Sequence, residues 1–206
     1  MLDHILFGCN DLDSGVALME QKTGVRAGVG GVHPGRGTRN ALLSLGDRHY
    51  LEIIAPDPAQ GKVADPLAGL LRSLSAPRLV GWAAHPGDSD AFAAKLKQAG
   101  TAFTGPTIGS RARPDGRMLR WKTIHLADDH DGLLPFFIEW DSNATHPSKD
   151  APTGCRLETF ALRDPDPAAL IKICQQLELD VMVERGEKRE LRMRIVGPEG
   201  PFDATS

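Results

Sequence analysis

The 206-residue chain has no apolar run long enough to cross a membrane as a helix. It also has no basic segment leading into such a run at its start, so neither a transmembrane helix nor a signal peptide is expected. Cysteine is scarce. Cys9, Cys155 and Cys174 are odd in number and lack metal-ligand spacing, which reads as reduced, buried thiols in a cytoplasmic protein. Positive charge is not in excess, and a formal charge of -3 argues against nucleic acid or an anionic membrane as partner. There is no Walker-type phosphate loop, no Ser-His-Asp set and no activated cysteine, so a nucleotide cofactor and nucleophilic catalysis are not expected. What is present is ordinary for a globule: 41% apolar and 25% charged residues, enough for one large domain or two small ones sharing a core.

Two apolar strands stand out, each interrupted by one carboxylate. They are Leu133-Leu134-Pro135-Phe136-Phe137-Ile138-Glu139-Trp140 and Tyr50-Leu51-Glu52-Ile53-Ile54-Ala55. Alternate side chains of a strand share a face. A lone buried carboxylate is costly, so each Glu must reach solvent, a cation or a hydrogen-bond donor. Two such strands suggest a two-fold cup with acids on its floor.

A repeat supports that idea. Asp11-Leu12-Asp13, Asp88-Ser89-Asp90 and Asp164-Pro165-Asp166 each follow an apolar strand and open a helical pattern, as aspartates do at positive helix ends. The strands expected before the helices are Leu2–Cys9, Leu79–His85 and Cys155–Leu162. The strands expected after them are Arg26–Val32, Asn40–Leu45 and Tyr50–Ala55, then Phe103–Ile108, Leu119–Leu126 and Pro135–Trp140, then Val181–Glu184 and Leu191–Val196. The organisation is a βαβββ module over 1–56, a linker with a short helix over 57–77, a second βαβββ module over 78–141, and a truncated third βαββ module over 155–206. The fold class is α+β, the paired modules forming a cupped mixed sheet.

These paired modules, with Leu2-Asp3-His4-Ile5, His33-Pro34-Gly35-Arg36-Gly37-Thr38-Arg39-Asn40 and the two Glu-bearing strands, resemble the glyoxalase-like members of the vicinal oxygen chelate superfamily. The resemblance implies a small-molecule protein. One form is a lyase or isomerase that uses a divalent ion (Zn, Ni, Mn, Fe or Mg). The other is a metal-free binding and sequestration protein, and an extradiol dioxygenase is disfavoured. It also implies His4, Glu52 and Glu139 as metal ligands, with Glu52 or Glu139 moving the proton. The fourth ligand position does not match, since Gly81 and Trp82 stand there. Modules of this superfamily pair within or between chains, so a homodimer is compatible with it.

Bland alternatives accompany each residue. His4 reads equally as a satisfied core histidine, and Glu52 and Glu139 as strand-end acids paired with arginine. The His33–Asn40 loop, with Arg36 between two glycines, is either the pocket rim, where backbone N–H groups and a guanidinium meet an anion, or a solvated hairpin. Arg111 occupies the matching loop of module two, and Trp121 is core or pocket wall. His33, Arg36, Asn40, Arg111 and Trp121 are therefore the candidate substrate contacts. Strand alternation predicts that His4, Glu52 and Glu139 converge on one cavity.

Overall fold

The computed structural model describes residues 1–113 and 115–206. Pro114, whose Pro114-Asp115-Gly116 sequence is a turn signal, lies outside them. In the first module β1 (Leu2–Gly8) leads to α1 (Leu12–Thr23), then β2 (Gly28–His33), β3 (Thr38–Ser44) and β4 (Tyr50–Pro56). The linker carries α2 (Pro66–Ser73). The second module repeats the order with β5 (Arg78–Ala84), α3 (Ser89–Gln98), β6 (Phe103–Ala112), β7 (Met118–Leu126) and β8 (Phe136–Trp140). After a connector with the single turn α4 (Pro147–Asp150) come β9 (Arg156–Asp164), α5 (Pro167–Gln176), β10 (Met182–Arg185), β11 (Glu190–Gly197) and β12 (Gly200–Thr205).

The aspartate repeat marks helix starts for the reason expected. Asp11, Asp88 and Asp166 each accept a hydrogen bond from a backbone N–H of the first turn, from Ser14, Ala91 and Ala169. In the third copy the second aspartate caps, while Asp164 is buried against Arg189. Gly24 ends α1 in the left-handed conformation at φ 77°, where a side chain would be strained.

One eight-stranded sheet runs in the order β2-β3-β4-β1-β5-β8-β7-β6. Each module pairs its first strand parallel to its last, β1 with β4 and β5 with β8, and β1 and β5 join antiparallel at the centre. The sheet curls until its two edges meet, and there the Arg111 guanidinium on β6 donates to the Gly30 carbonyl on β2.

The third unit is wired differently, in the order β10-β9-β11-β12, with β10 rather than the last strand parallel to β9. Where a truncated βαββ module was expected, a further strand, β12, forms, its Phe202 meeting Phe7 edge-on at 6.0 Å. This sheet covers the convex back of the large one. Phe160, Leu162, Met193 and Ile195 share a core with Ile5, Phe7, Leu51, Ile53, Trp82 and Phe137. The back-facing residues of β1 and β4 are thus committed to the core. The opposite residues, His4, Leu6, Tyr50, Glu52 and Ile54, face the cup. Leucines of α2 (Leu71, with Leu67 and Leu70) pack on Leu6 and Ile54 and close one end of it.

Candidate functional site

The cup encloses about 810 Å³ and divides along the module boundary. Module one supplies a polar floor: His4, His33, Thr38, Asn40 and Glu52. Module two supplies a largely apolar wall, Val80, Trp121, Phe136, Ile138 and Trp140, with Thr123 and His125 among the polar residues beside it.

On the floor a chain of charged groups is buried. The Asp3 Oδ1 carboxylate lies 2.7 Å from His4 Nδ1, and His4 Nε2 lies 3.3 Å from Glu52 Oε2. Asn40 Nδ2 donates to the other Glu52 oxygen at 2.5 Å and sits 3.3 Å from His33 Nε2. His33 Nδ1 contacts the Thr38 hydroxyl at 2.8 Å. Asp3 is held in turn by the Trp140 indole N–H at 3.0 Å and by His146 Nε2 at 3.2 Å. The His4 ring stacks on Tyr50 at 4.5 Å.

With a carboxylate at each nitrogen, His4 is an imidazolium. Burial disfavours that form, but the hydrogen bonds the ring donates to Asp3 and Glu52 outweigh it and raise the pKa to about 9. Burial likewise works against the Glu52 carboxylate, and the His4 hydrogen bond overrides it, lowering the pKa to about 2. For His33 burial prevails over the attraction of Glu52, so its pKa is pushed below the ordinary value and the ring is neutral at neutral pH.

Of the residues the sequence singled out, His4, Glu52, His33 and Asn40 come together on the floor, and Arg36, Arg111 and Trp121 line the cup. Arg36 pairs with Asp65 at 2.6 Å, and Trp121 meets Trp140 edge-on at 5.6 Å. Glu139 does not join them, which corrects the expected convergence. Phe136, Ile138 and Trp140 take the cup face of β8, so alternation sends Phe137 into the core and Glu139 to the helix side. There Glu139 Oε2 accepts from the Ser89 N–H at the start of α3, at 2.8 Å.

Sequence reasoning missed Asp3, His146 and Trp140. Strict alternation sends Asp3 to the face opposite His4, but the β1–β5 register shifts between Leu2 and His4, and this bulge turns Asp3 to the His4 side. No sequence signal links the connector residue His146 to β1.

The metal set implied by the resemblance does not fit this floor. Glu139 is elsewhere, and His4, engaged at both nitrogens by Asp3 and Glu52, has no lone pair to offer an ion. Among the described residues, no three His, Cys, Asp or Glu side chains are grouped to hold an ion.

The family model "Glyoxalase-like domain" matches residues 2–178. The chain belongs to this family. Comparison with curated proteins gives no match. Among solved structures, a hypothetical protein from Staphylococcus aureus is similar at TM-score 0.69 and 17% identity, over 98% of this chain and 84% of that one. Methylmalonyl-CoA epimerase (Q60A) from Streptomyces coelicolor, in complex with 2-nitronate-propionyl-CoA, is similar at TM-score 0.50 and 22% identity, over 69% of this chain and 97% of that one. A hypothetical protein from Bacillus halodurans C-125 is similar at TM-score 0.50 and 13% identity, over 70% of this chain and 96% of that one. At these identities the likeness is one of fold. Among the described residues, no helix is long and apolar enough to cross a membrane.

Proposed function

We propose that this glyoxalase-like protein is an isomerase or lyase that moves a proton next to a carbonyl of a small oxygenated substrate. The observation that carries the proposal is the buried Asp3–His4–Glu52 chain opening onto the cup. Buried charge is expensive, and placing it on a cavity floor rather than in the core is the usual mark of a working group. Glu52, kept ionised by His4, accepts the proton from the carbon beside the carbonyl, and the bond electrons pass to oxygen as an enolate. On a hydroxyketone the hydroxyl proton crosses to the enolate oxygen, and Glu52 returns the carbon-bound proton to the former carbonyl carbon, so that the neighbouring carbon becomes the carbonyl. His33, neutral and with Nε2 3.7 Å from Glu52 Oε1, is placed to share that proton. No step runs through a divalent ion, because the floor offers no ligand set for one. The three free, buried cysteines support a reducing, cytoplasmic setting.

The test is exchange of carbon-bound hydrogen in D₂O, followed by proton NMR, over a panel of hydroxyketones and 2-oxo compounds with and without chelator. Exchange that survives chelation and falls at least about 100-fold in Glu52→Gln supports the proposal. Saturable binding of panel members without exchange supports the other member of this class, a metal-free sequestration protein.

A further inference from the structure

The charges and acceptors lining the cup specify what it takes. Each cation there already has a counter-charge or an acceptor. Arg36 Nε is 2.6 Å from Asp65 Oδ2, and His4 lies between Asp3 and Glu52. Arg111 is buried, donates to the Gly30 carbonyl and feels the field of Glu52. A carboxylate or phosphate entering the cup would have to break one of these pairs.

The floor, by contrast, presents acceptors and, among the described residues, no free donor. Two oxygens would repel at the 2.5 Å that separates Asn40 from Glu52, so the Asn40 amide is oriented with its N–H₂ toward Glu52 and His33. Asn40 Oδ1 is left without a partner but is buried on the Gly30 side, so it offers nothing to a ligand in the cup. The same amide orientation makes His33 Nε2 an acceptor, with the ring proton on Nδ1 toward Thr38. Glu52, an acceptor only, completes the set. Across from this floor stand Trp121, Phe136, Ile138 and Trp140, and at the mouth Ile108 is 78% exposed, an apolar residue in contact with water.

We infer that the cup takes an uncharged ring compound that turns a hydroxyl or N–H edge to Glu52 and lays its apolar body on the module-two wall. This names the ligand class of the site proposed above and rests on Glu52 being its working acceptor. It departs from an anion-binding rim, since Arg36 and Arg111 are occupied with structure.

The experiment is calorimetric titration of the whole chain with three matched probes: 2-naphthol, its methyl ether and 2-naphthoate. The naphthol is expected to bind at least about tenfold more tightly than either other probe, the ratio that one hydrogen bond to a charged acceptor supplies. In Glu52→Gln that advantage should shrink to about threefold or less. Naphthoate binding as tightly as naphthol, an equal affinity for the ether, an undiminished preference in Glu52→Gln, or no binding of any probe overturns the inference. Should Glu52→Gln fail to fold, the wild-type comparison of the three probes decides alone. The hydrogen-exchange assay reports on catalysis separately. Naphthol preference without exchange would leave the ligand class standing and remove the enzyme, and exchange with a naphthoate preference would do the reverse.

Discussion

Asp3 and His4 are neighbours in a β-strand, yet both side chains reach the same buried site, with Asp3 Oδ1 2.7 Å from His4 Nδ1. A regular strand would hold them on opposite faces. The register shift between Leu2 and His4 makes the contact, and with it the doubly hydrogen-bonded imidazolium on which the floor is built.

That contact has a pH signature. The folded-state pKa of His4, about 9, lies above the ordinary 6.5, so its stabilisation is fully present below 6.5 and is lost as pH rises through 9. The difference corresponds to something on the order of 3 kcal/mol. Glu52 behaves oppositely: its depressed pKa gives stability that is present above 4.5 and lost as pH falls toward 2. His33, His49 and His125, whose pKa values burial lowers, add a further loss below 6.5. Urea midpoints are therefore expected to decline between pH 6.5 and 9 in the wild type, and that limb should flatten in His4→Gln. The cysteines, whose thiols burial pushes up from 9.0, add their own loss mainly above pH 9, and their smaller share below it is common to the wild type and His4→Gln. A wild-type curve flat over that range would remove His4 as an imidazolium.

Glu139 supplies a contrast with Glu52. It accepts from the Ser89 N–H at the positive end of α3, a contact in the range of helix-capping interactions. Glu139→Gln is expected to cost about 1 kcal/mol or less in urea unfolding and to leave naphthol affinity within about twofold. A tenfold loss of affinity would return Glu139 to the cup.

These two acids show where sequence reading succeeds and where it stops. The element order through β8 and the helix caps were legible because aspartate caps, helix-ending glycines and period-two patterns are local signals. The cup faces of β1 and β4 followed from alternation, as the burial of Leu51 and Ile53 behind Glu52 bears out. On β8 the alternation was right and its phase wrong. Treating the single acid as the cup residue ignored that the α3 N-terminus on the far side also needs an acceptor. Asp3 and His146 were invisible because a bulge and a fold-back of the connector over 140 positions of sequence create their contact, and neither leaves a local trace.

Gly30 is expected to be irreplaceable for a reason of space. A Cβ there would lie 2.2 Å from Asn40 Oδ1 and 3.0 Å from Leu42 Cγ. Asn40 cannot yield without releasing Glu52, so Gly30→Ala should lower stability by about 1–3 kcal/mol and weaken naphthol binding at least about tenfold. Gly69 in the exposed face of α2 is the control. Nothing lies within 4 Å of its added Cβ, and Gly69→Ala should be neutral or stabilise by up to about 1 kcal/mol. Equal behaviour of the two variants would show that the Asn40 seat is soft.

The closure of the sheet rests on Arg111. Its guanidinium bridges β6 to the Gly30 carbonyl of β2, and Gly31 leaves room for it, since a Cβ there would lie 2.9 Å from Arg111 Nη1. Arg111 also offsets the charge of Glu52 across the floor. Arg111→Met keeps the length and the apolar stem but removes both functions, leaving a buried carbonyl without its donor. We expect a loss of about 1–3 kcal/mol, with the damage confined to one side of the molecule. Amide hydrogen exchange should accelerate along Gly28–His33 and Phe103–Ala112, while Arg156–Asp164 and Pro167–Gln176, which pack on the convex back, exchange as before. Arg111→Lys, which retains a donor and the charge on a differently shaped head, should recover part of the loss. Uniform acceleration through both sheets would mean that Arg111 supports the whole fold. Unchanged exchange at β2 and β6 would mean that the two edges hold together without it.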